Sequence, residues 1–286
     1  MPEDPNFVRR VTPADTLSHR RVILVVIPQG AMAAACAFGF TRSGLTPRAV
    51  GREALRARHP SLRAARARRG PASCRASGGL ILFGSPGSRS PLVDWYLHEL
   101  DLPFESRPPH DSNNPHPFGQ IPALLDATDD PANPVELWES GAILQYLADR
   151  YGGLDTPAAR ADAGKWVVWA NASLDPCLFI ENERGQVLDT GARAARGSPR
   201  ALTRLEATLA EREFLAGDAF GVADVAVAAY LLYVPMFFAD VSFARWPNIA
   251  KYMGRCCVRP AYARAFGVGT AAALAERVEG WVTERE

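Results

Sequence analysis

Apolar positions first cluster at Leu80-Ile-Leu-Phe83, bounded by Gly78-Gly79 and Gly84, a length and setting that predict a buried strand. The turn-rich Ser85-Pro-Gly-Ser-Arg-Ser-Pro91 then feeds a helix, with Ser90 as its N-cap and Pro91 in the first helical position. Leu92, Val93, Tyr96, Leu97 and Leu100 recur at helical spacing, and Pro103 ends the run near Asp101. A polar stretch rich in Pro and Asn covers 106–117. Two short apolar strands follow at 121–125 and 135–138, parted by turn residues at 126–131. Glu139 opens a second helix with Ile143, Leu144 and Leu147 on its apolar face, and Gly152-Gly153 closes it.

Beyond Gly153 the spacing is helical throughout, over about 158–172, 201–215, 223–238, 246–255 and 261–281. Helices that follow a small α/β unit imply two segregated domains, 78–153 and 158–284.

Residues 1–77 show neither period. Up to Gly79 the chain carries 14 Arg, no Lys and four acids, and from Thr16 to Arg52 it has no acid at all. Arg-rich, Ser-bearing and acid-poor sequence is the signature of an organelle transit peptide. The stretch from Met32 resembles an algal or plant chloroplast transit peptide processed near Cys74–Ser77, and a start at Met32 fits it better than one at Met1. The expected location is the plastid stroma, with the cytoplasm as alternative. Two other readings of the leader are weaker. Residues 22–40 are apolar for nearly the length of a membrane span, but Pro28, Gln29 and Gly30 interrupt them. A nucleic-acid-binding tail would carry interleaved aromatics, which are absent.

Charge sharpens the division. The net charge of the 286 residues is +1, yet 18 basic and 27 acidic residues lie beyond Gly79, so the body is acidic. Nucleic acid and membrane are therefore not expected partners of the body. Five cysteines at 36, 74, 177, 256 and 257 show no CxxC and no metal-ligand spacing, which implies a reducing compartment and no metal site.

Five segments, in order, resemble the glutathione transferase family. They are Ser88-Arg89 leading into Trp95-Tyr96-Leu97, His116-Pro-Phe-Gly-Gln-Ile-Pro-Ala-Leu124, Glu139-Ser-Gly-Ala-Ile-Leu-Gln-Tyr-Leu147, Phe214-Leu-Ala-Gly-Asp218 before Val222-Ala-Asp-Val225, and Arg259-Pro-Ala-Tyr262. Ser88-Arg89 and Val167-Val-Trp-Ala-Asn-Ala-Ser-Leu174 look most like the cyanobacterial chi class. The resemblance spans 80–267 and implies a thioredoxin-like α/β N-terminal domain plus an all-α C-terminal domain, with a homodimer as the expected assembly. It implies glutathione as co-substrate, no further cofactor, and a small apolar electrophile as the second substrate.

Glutathione has two carboxylates, one ammonium and one thiol, so its site must satisfy each. Gln120-Ile121-Pro122 resembles the family's loop before a cis-proline, which implies that Ile121 pairs its N–H and C=O with the cysteinyl portion in strand fashion. Glu139 and Ser140 lie at a strand-to-helix junction. Simple capping explains them, and so does a site where the helix N-terminus takes the γ-glutamyl carboxylate and Glu139 its ammonium. Gln120 is a further contact for the same ligand.

The thiol must react as thiolate, which a hydroxyl donor and positive potential favour. The resemblance implies a Tyr, Ser or Cys after the first strand, and no Tyr or Cys lies between Phe83 and Trp95; the candidates are Ser88 as hydroxyl donor, Arg89 as electrostatic contributor, Ser85, and Ser90, which is better explained as the N-cap. Asp224 resembles the family's N-capping motif, with Gly221 at the cap. Phe179, Phe237, Phe238 and Trp246 are candidates for an electrophile pocket or for ordinary core.

One departure stands out. Only ten residues separate Glu105 from His116, where the family has about twice that number, carrying a second strand and a helix that helps hold the glycyl carboxylate. Three functions compete on these grounds: conjugation, glutathione-dependent peroxidase activity, and a non-catalytic binding or scaffolding role.

Overall fold

The computed structural model describes residues 79–283. Residues 1–77, expected from the sequence to be a transit peptide, lie outside the described residues.

Strand β1 (Leu80–Phe83) is the centre from which the first domain is built. Leu80, Leu82 and Phe83 are buried, as the short apolar run dictates. It pairs in parallel with β2 (Glu105–Arg107) and antiparallel with β3 (Ala123–Asp126), which pairs antiparallel with β4 (Val135–Trp138). The sheet order is β2-β1-β3-β4. Helix α1 (Ser90–Glu99) connects β1 to β2, and α2 (Ser140–Arg150) follows β4. The β2 strand is an addition to the sequence reading: three mostly exposed, polar residues carry no apolar signal, and pairing with β1 alone orders them. No helix lies in the connection from β2 to β3.

The second domain is organised around α6 (Val222–Phe237), every residue of which is buried through Pro235. A helix apolar on all sides belongs in the middle of a bundle. Around it lie α3 (Pro157–Trp169), α4 (Asp175–Leu178), α5 (Arg200–Glu211), α7 (Pro247–Cys257), α8 (Pro260–Phe266) and α9 (Val268–Thr283). The helix expected at 158–172 ends earlier as α-helix and runs on as one π turn, Ala170–Leu174, into α4. The helix expected at 261–281 is two, because Gly267 takes φ 92. The helix expected to reach 215 stops at Glu211, with Arg212 extended. A small hairpin of β5 (Ile180–Glu181) and β6 (Val187–Asp189) was not expected at all.

Helix α1 packs on α2, on α6 and on α8, so one apolar core is continuous across the two domains. Polar links cross the same boundary. Arg259 donates to both carboxylate oxygens of Glu99 at 2.7 Å, and the Trp95 indole donates to Glu99 at 2.8 Å. Among the described residues no helix is long and apolar enough to cross a membrane.

Candidate functional site

The sheet register gathers the sequence candidates at one end of the strands. Phe83, the last residue of β1, is opposite Ala123, the first of β3, and Ala123 is opposite Trp138, the last of β4. The segment after Phe83, the residue before Ala123 and the residue after Trp138 therefore meet at one end of the sheet. These are the Ser85–Ser90 loop, Pro122, and Glu139.

The loop is held by its own serines. Ser88 Oγ donates to the Ser85 carbonyl at 2.9 Å, accepts the Ser90 N–H at 3.0 Å, and lies 2.8 Å from Ser90 Oγ. Ser88, rather than Ser90, thus supplies the side-chain acceptor at the start of α1; the formal cap residue, Arg89, makes no side-chain cap bond. The Ser90 side chain instead turns back to Ser88 and is 3% exposed. Gly84 is required here, since a Cβ would lie 2.4 Å from Ser90 Cβ.

Arg89 reaches into the helical domain. Its Nη2 lies 2.6 and 2.5 Å from the two carboxylate oxygens of Asp175, and its guanidinium sits 5.5 Å from the centre of the Tyr230 ring. Burial works against its charge, but Tyr230 and Asp175 outweigh burial and raise its pKa above the usual arginine value. The positive charge nearest Ser88 is therefore already matched by a carboxylate. Tyr233, one turn beyond Tyr230, donates to the Ser88 carbonyl at 3.1 Å. The Tyr230 hydroxyl donates to Asn171 at 3.0 Å.

At the second position, the Ile121–Pro122 peptide bond is cis. The Ile121 N–H and C=O make no hydrogen bond among the described residues. Asn114 fixes the preceding loop: Nδ2 donates to the carbonyls of Pro109 and Gln120, both at 3.1 Å, and Oδ1 accepts the His116 N–H at 3.0 Å. The Gln120 side chain is half-buried. His116 is buried beside Trp138, with ring centroids 5.3 Å apart, and desolvation lowers its pKa while Glu139 opposes.

At the third position, Glu139 has φ 69. A bulky non-glycine residue with positive φ is uncommon, and such residues concentrate at ligand sites. The strain turns the chain sharply from β4 into α2, leaves the Glu139 side chain exposed and buries Ser140 at the helix start. Acidic side chain, hydroxyl and free helix N–H groups are then adjacent, a set that suits an α-amino acid head.

Asp175, Tyr230 and Tyr233 escaped the sequence reading. The i, i+3 spacing of the two tyrosines places them on one helix face, but α6 is apolar all round, so the spacing did not single out that face. Of the aromatic candidates, Phe237 is 43% exposed and stacks on Tyr233 at 5.7 Å, with Phe179 at 6.0 Å. Trp246 is buried against Phe243 and under Arg245, a core position.

A four-stranded mixed sheet with a cis-proline loop is thus joined to a helical bundle, and an acidic side chain, a helix start and a serine-rich loop meet at one end of that sheet. Residues 78–149 match the family model described as Glutathione S-transferase, N-terminal domain, and residues 176–260 match Glutathione S-transferase, C-terminal domain. Glutathione S-transferase GstB of Escherichia coli is 31% identical over 185 residues, 58% of this chain and 86% of that protein. Glutathione S-transferase 3 of Zea mays is 32% identical over 169 residues, 51% of this chain and 73% of that protein. A crystal structure of a glutathione transferase from Burkholderia graminis, with two glutathione molecules bound per subunit, aligns with TM-score 0.53 at 27% identity. It covers 66% of this chain and 87% of that one. The chain belongs to the glutathione S-transferase family.

Proposed function

We propose that this protein binds glutathione and conjugates its thiolate to small apolar electrophiles. The observation that carries the reading is the convergence of Ser88, the unpaired Ile121 backbone and the Glu139-Ser140 junction at one end of the sheet. Ser140 and the first N–H groups of α2 receive the γ-glutamyl carboxylate, and Glu139 pairs with its ammonium. Ile121 pairs with the cysteinyl backbone, with the Gln120 side chain alongside. That placement sets the sulfur near the Ser88 hydroxyl, which donates to it and favours the thiolate. The sulfur then forms a bond to the electrophilic carbon as the leaving group departs with its electron pair, and the thiol proton passes to solvent. Arg89 contributes the local cation, tempered by Asp175.

Retention on immobilised glutathione, followed by conjugation of an aryl halide by wild type and Ser88→Ala, tests the reading. Loss of Ser88 lowers kcat/KM by about tenfold to a hundredfold, roughly 1.4–2.8 kcal/mol. No retention and no turnover by wild type would sink it. Retention without turnover would favour a binding role, which the missing helix between β2 and β3 supports.

Two further expectations belong here. Val168 is 56% exposed on α3, an apolar position consistent with a homodimer, and sedimentation velocity reports the mass. For the leader, plastid import with processing near residues 74–77 is checked by N-terminal sequencing of the mature protein from plastids.

A further inference from the structure

We propose that Ser90 is a positioning residue for the thiol: its buried hydroxyl donates to Ser88 Oγ and makes the Ser88 hydroxyl a stronger donor to the glutathione sulfur. The inference rests on Ser88 being the sulfur's hydrogen-bond donor, as argued above.

Proton accounting at Ser88 fixes the direction. A serine hydroxyl has one proton to give and two lone pairs to receive with. Ser88 Oγ has three neighbours: the Ser90 N–H at 3.0 Å, the Ser85 carbonyl at 2.9 Å and Ser90 Oγ at 2.8 Å. The N–H only donates and the carbonyl only accepts, so they take one lone pair and the single proton. The remaining lone pair faces Ser90 Oγ, which must therefore be the donor. Ser90 Oγ meets no other partner among the described residues. At 3% exposure it is also out of reach of competing solvent.

Glutathione binding requires that the sulfur accept the Ser88 hydrogen bond along the direction the Ser85 carbonyl now holds, or share it with that carbonyl, since the two lone pairs are already occupied. Both donors from Ser90 stay in place. An oxygen that accepts two hydrogen bonds gives up electron density and donates a stronger one, and the effect grows where water is excluded. The Ser88 proton remains on oxygen throughout, and the thiol's own proton leaves to solvent. Gly84 leaves the room this pair needs, since a Cβ there would lie 2.5 Å from Ser90 Oγ. A larger residue at position 84 would dislodge the pair.

The test is a pH titration of the bound thiol in the full chain. The carbon-13 shift of glutathione labelled at its cysteinyl β-carbon reports the ionisation directly. Ser88→Ala raises the midpoint by about one pH unit, and Ser90→Ala raises it by about half a unit, roughly threefold less thiolate below the midpoint. Glutathione affinity at high pH stays within about twofold in Ser90→Ala. In the double variant, Ser90→Ala adds nothing to Ser88→Ala, since it acts only through Ser88. Ser90→Cys keeps the shape and weakens the donor; its upward shift reports the same effect should the alanine variant not fold.

An unchanged midpoint in Ser88→Ala would overturn the assignment of Ser88, and this inference with it. A shift in Ser88→Ala but none in either Ser90 variant would overturn the inference alone. So would a Ser90→Ala variant that loses thermal stability or affinity while its midpoint stays put, or an additive shift in the double variant.

Discussion

Asp175 carries a consequence larger than its place in a four-residue helix suggests. It meets the Arg89 guanidinium with both carboxylate oxygens, at side-chain exposures of 13% and 31%. Asp175→Asn leaves the guanidinium half-desolvated and unmatched, which costs about 2 kcal/mol after allowance for solvent screening. Urea denaturation monitored by tryptophan fluorescence measures it, and a change below about 0.5 kcal/mol would show that solvent already satisfies Arg89. At this scale the sequence was informative where chemistry is local. Ser88, Glu139 and Ser140 are neighbours of turn and helix-start signals, and Ile121-Pro122 sits within a recognisable run. Asp175 and Tyr233 lie 86 and 145 positions from the loop residues they hold, and no periodicity encodes a contact across that distance.

Helix boundaries show what period alone does and does not convey. Strands β1 and β4 are at their expected positions, because short apolar runs between turn residues fix them, whereas α1 starts one residue before its expected start, with Arg89 rather than Ser90 at the cap. The run expected from 261 to 281 is broken by one glycine whose positive φ makes two helices from one pattern. Gly267→Ala forces that conformation on a residue with a Cβ and destabilises by about 1 kcal/mol, read as a lower thermal midpoint. A neutral result would mean that the break tolerates a side chain.

Helix α6 has its own weakness: Pro235 removes a backbone donor near its end. Arg277 of α9 separately caps the end of the helix from outside, donating to the carbonyls of Pro235 at 2.8 Å and Val241 at 2.9 Å, and to those of Phe238 and Ala239. Arg277→Ala leaves several carbonyls without donors and costs about 2 kcal/mol. Hydrogen exchange at residues 236–241 should quicken first, and uniform protection there would contradict a local capping role.

One source of the molecule's sensitivity to pH is a carboxyl in its centre. Asp224, with no exposed surface, accepts the Leu215 and Gly221 N–H groups at 3.0 Å and the Tyr252 hydroxyl at 3.1 Å. Burial pushes its pKa up from 3.8 to about 6, against the pull of those donors. The folded state therefore holds the proton more tightly than the unfolded chain. The stability it contributes is complete below about pH 4 and is lost as pH rises through 6. Relative to Asp224→Asn, wild type should lose on the order of 2–3 kcal/mol between pH 4 and 7 in denaturant titrations. A flat difference would mean that the carboxyl titrates alike in both states.

The Tyr233–Ser88 and Asp175–Arg89 contacts limit how this architecture is recombined. A chimera that keeps residues 79–153 and borrows its helical half from a distant homologue would inherit every candidate glutathione contact and lose both anchors of the Ser85–Ser90 loop. Grafting is therefore least disruptive when the donor half brings a tyrosine and an acid at the equivalents of 233 and 175. Shuffling experiments on this scaffold have their natural crossover points outside that pair, not at the interdomain linker.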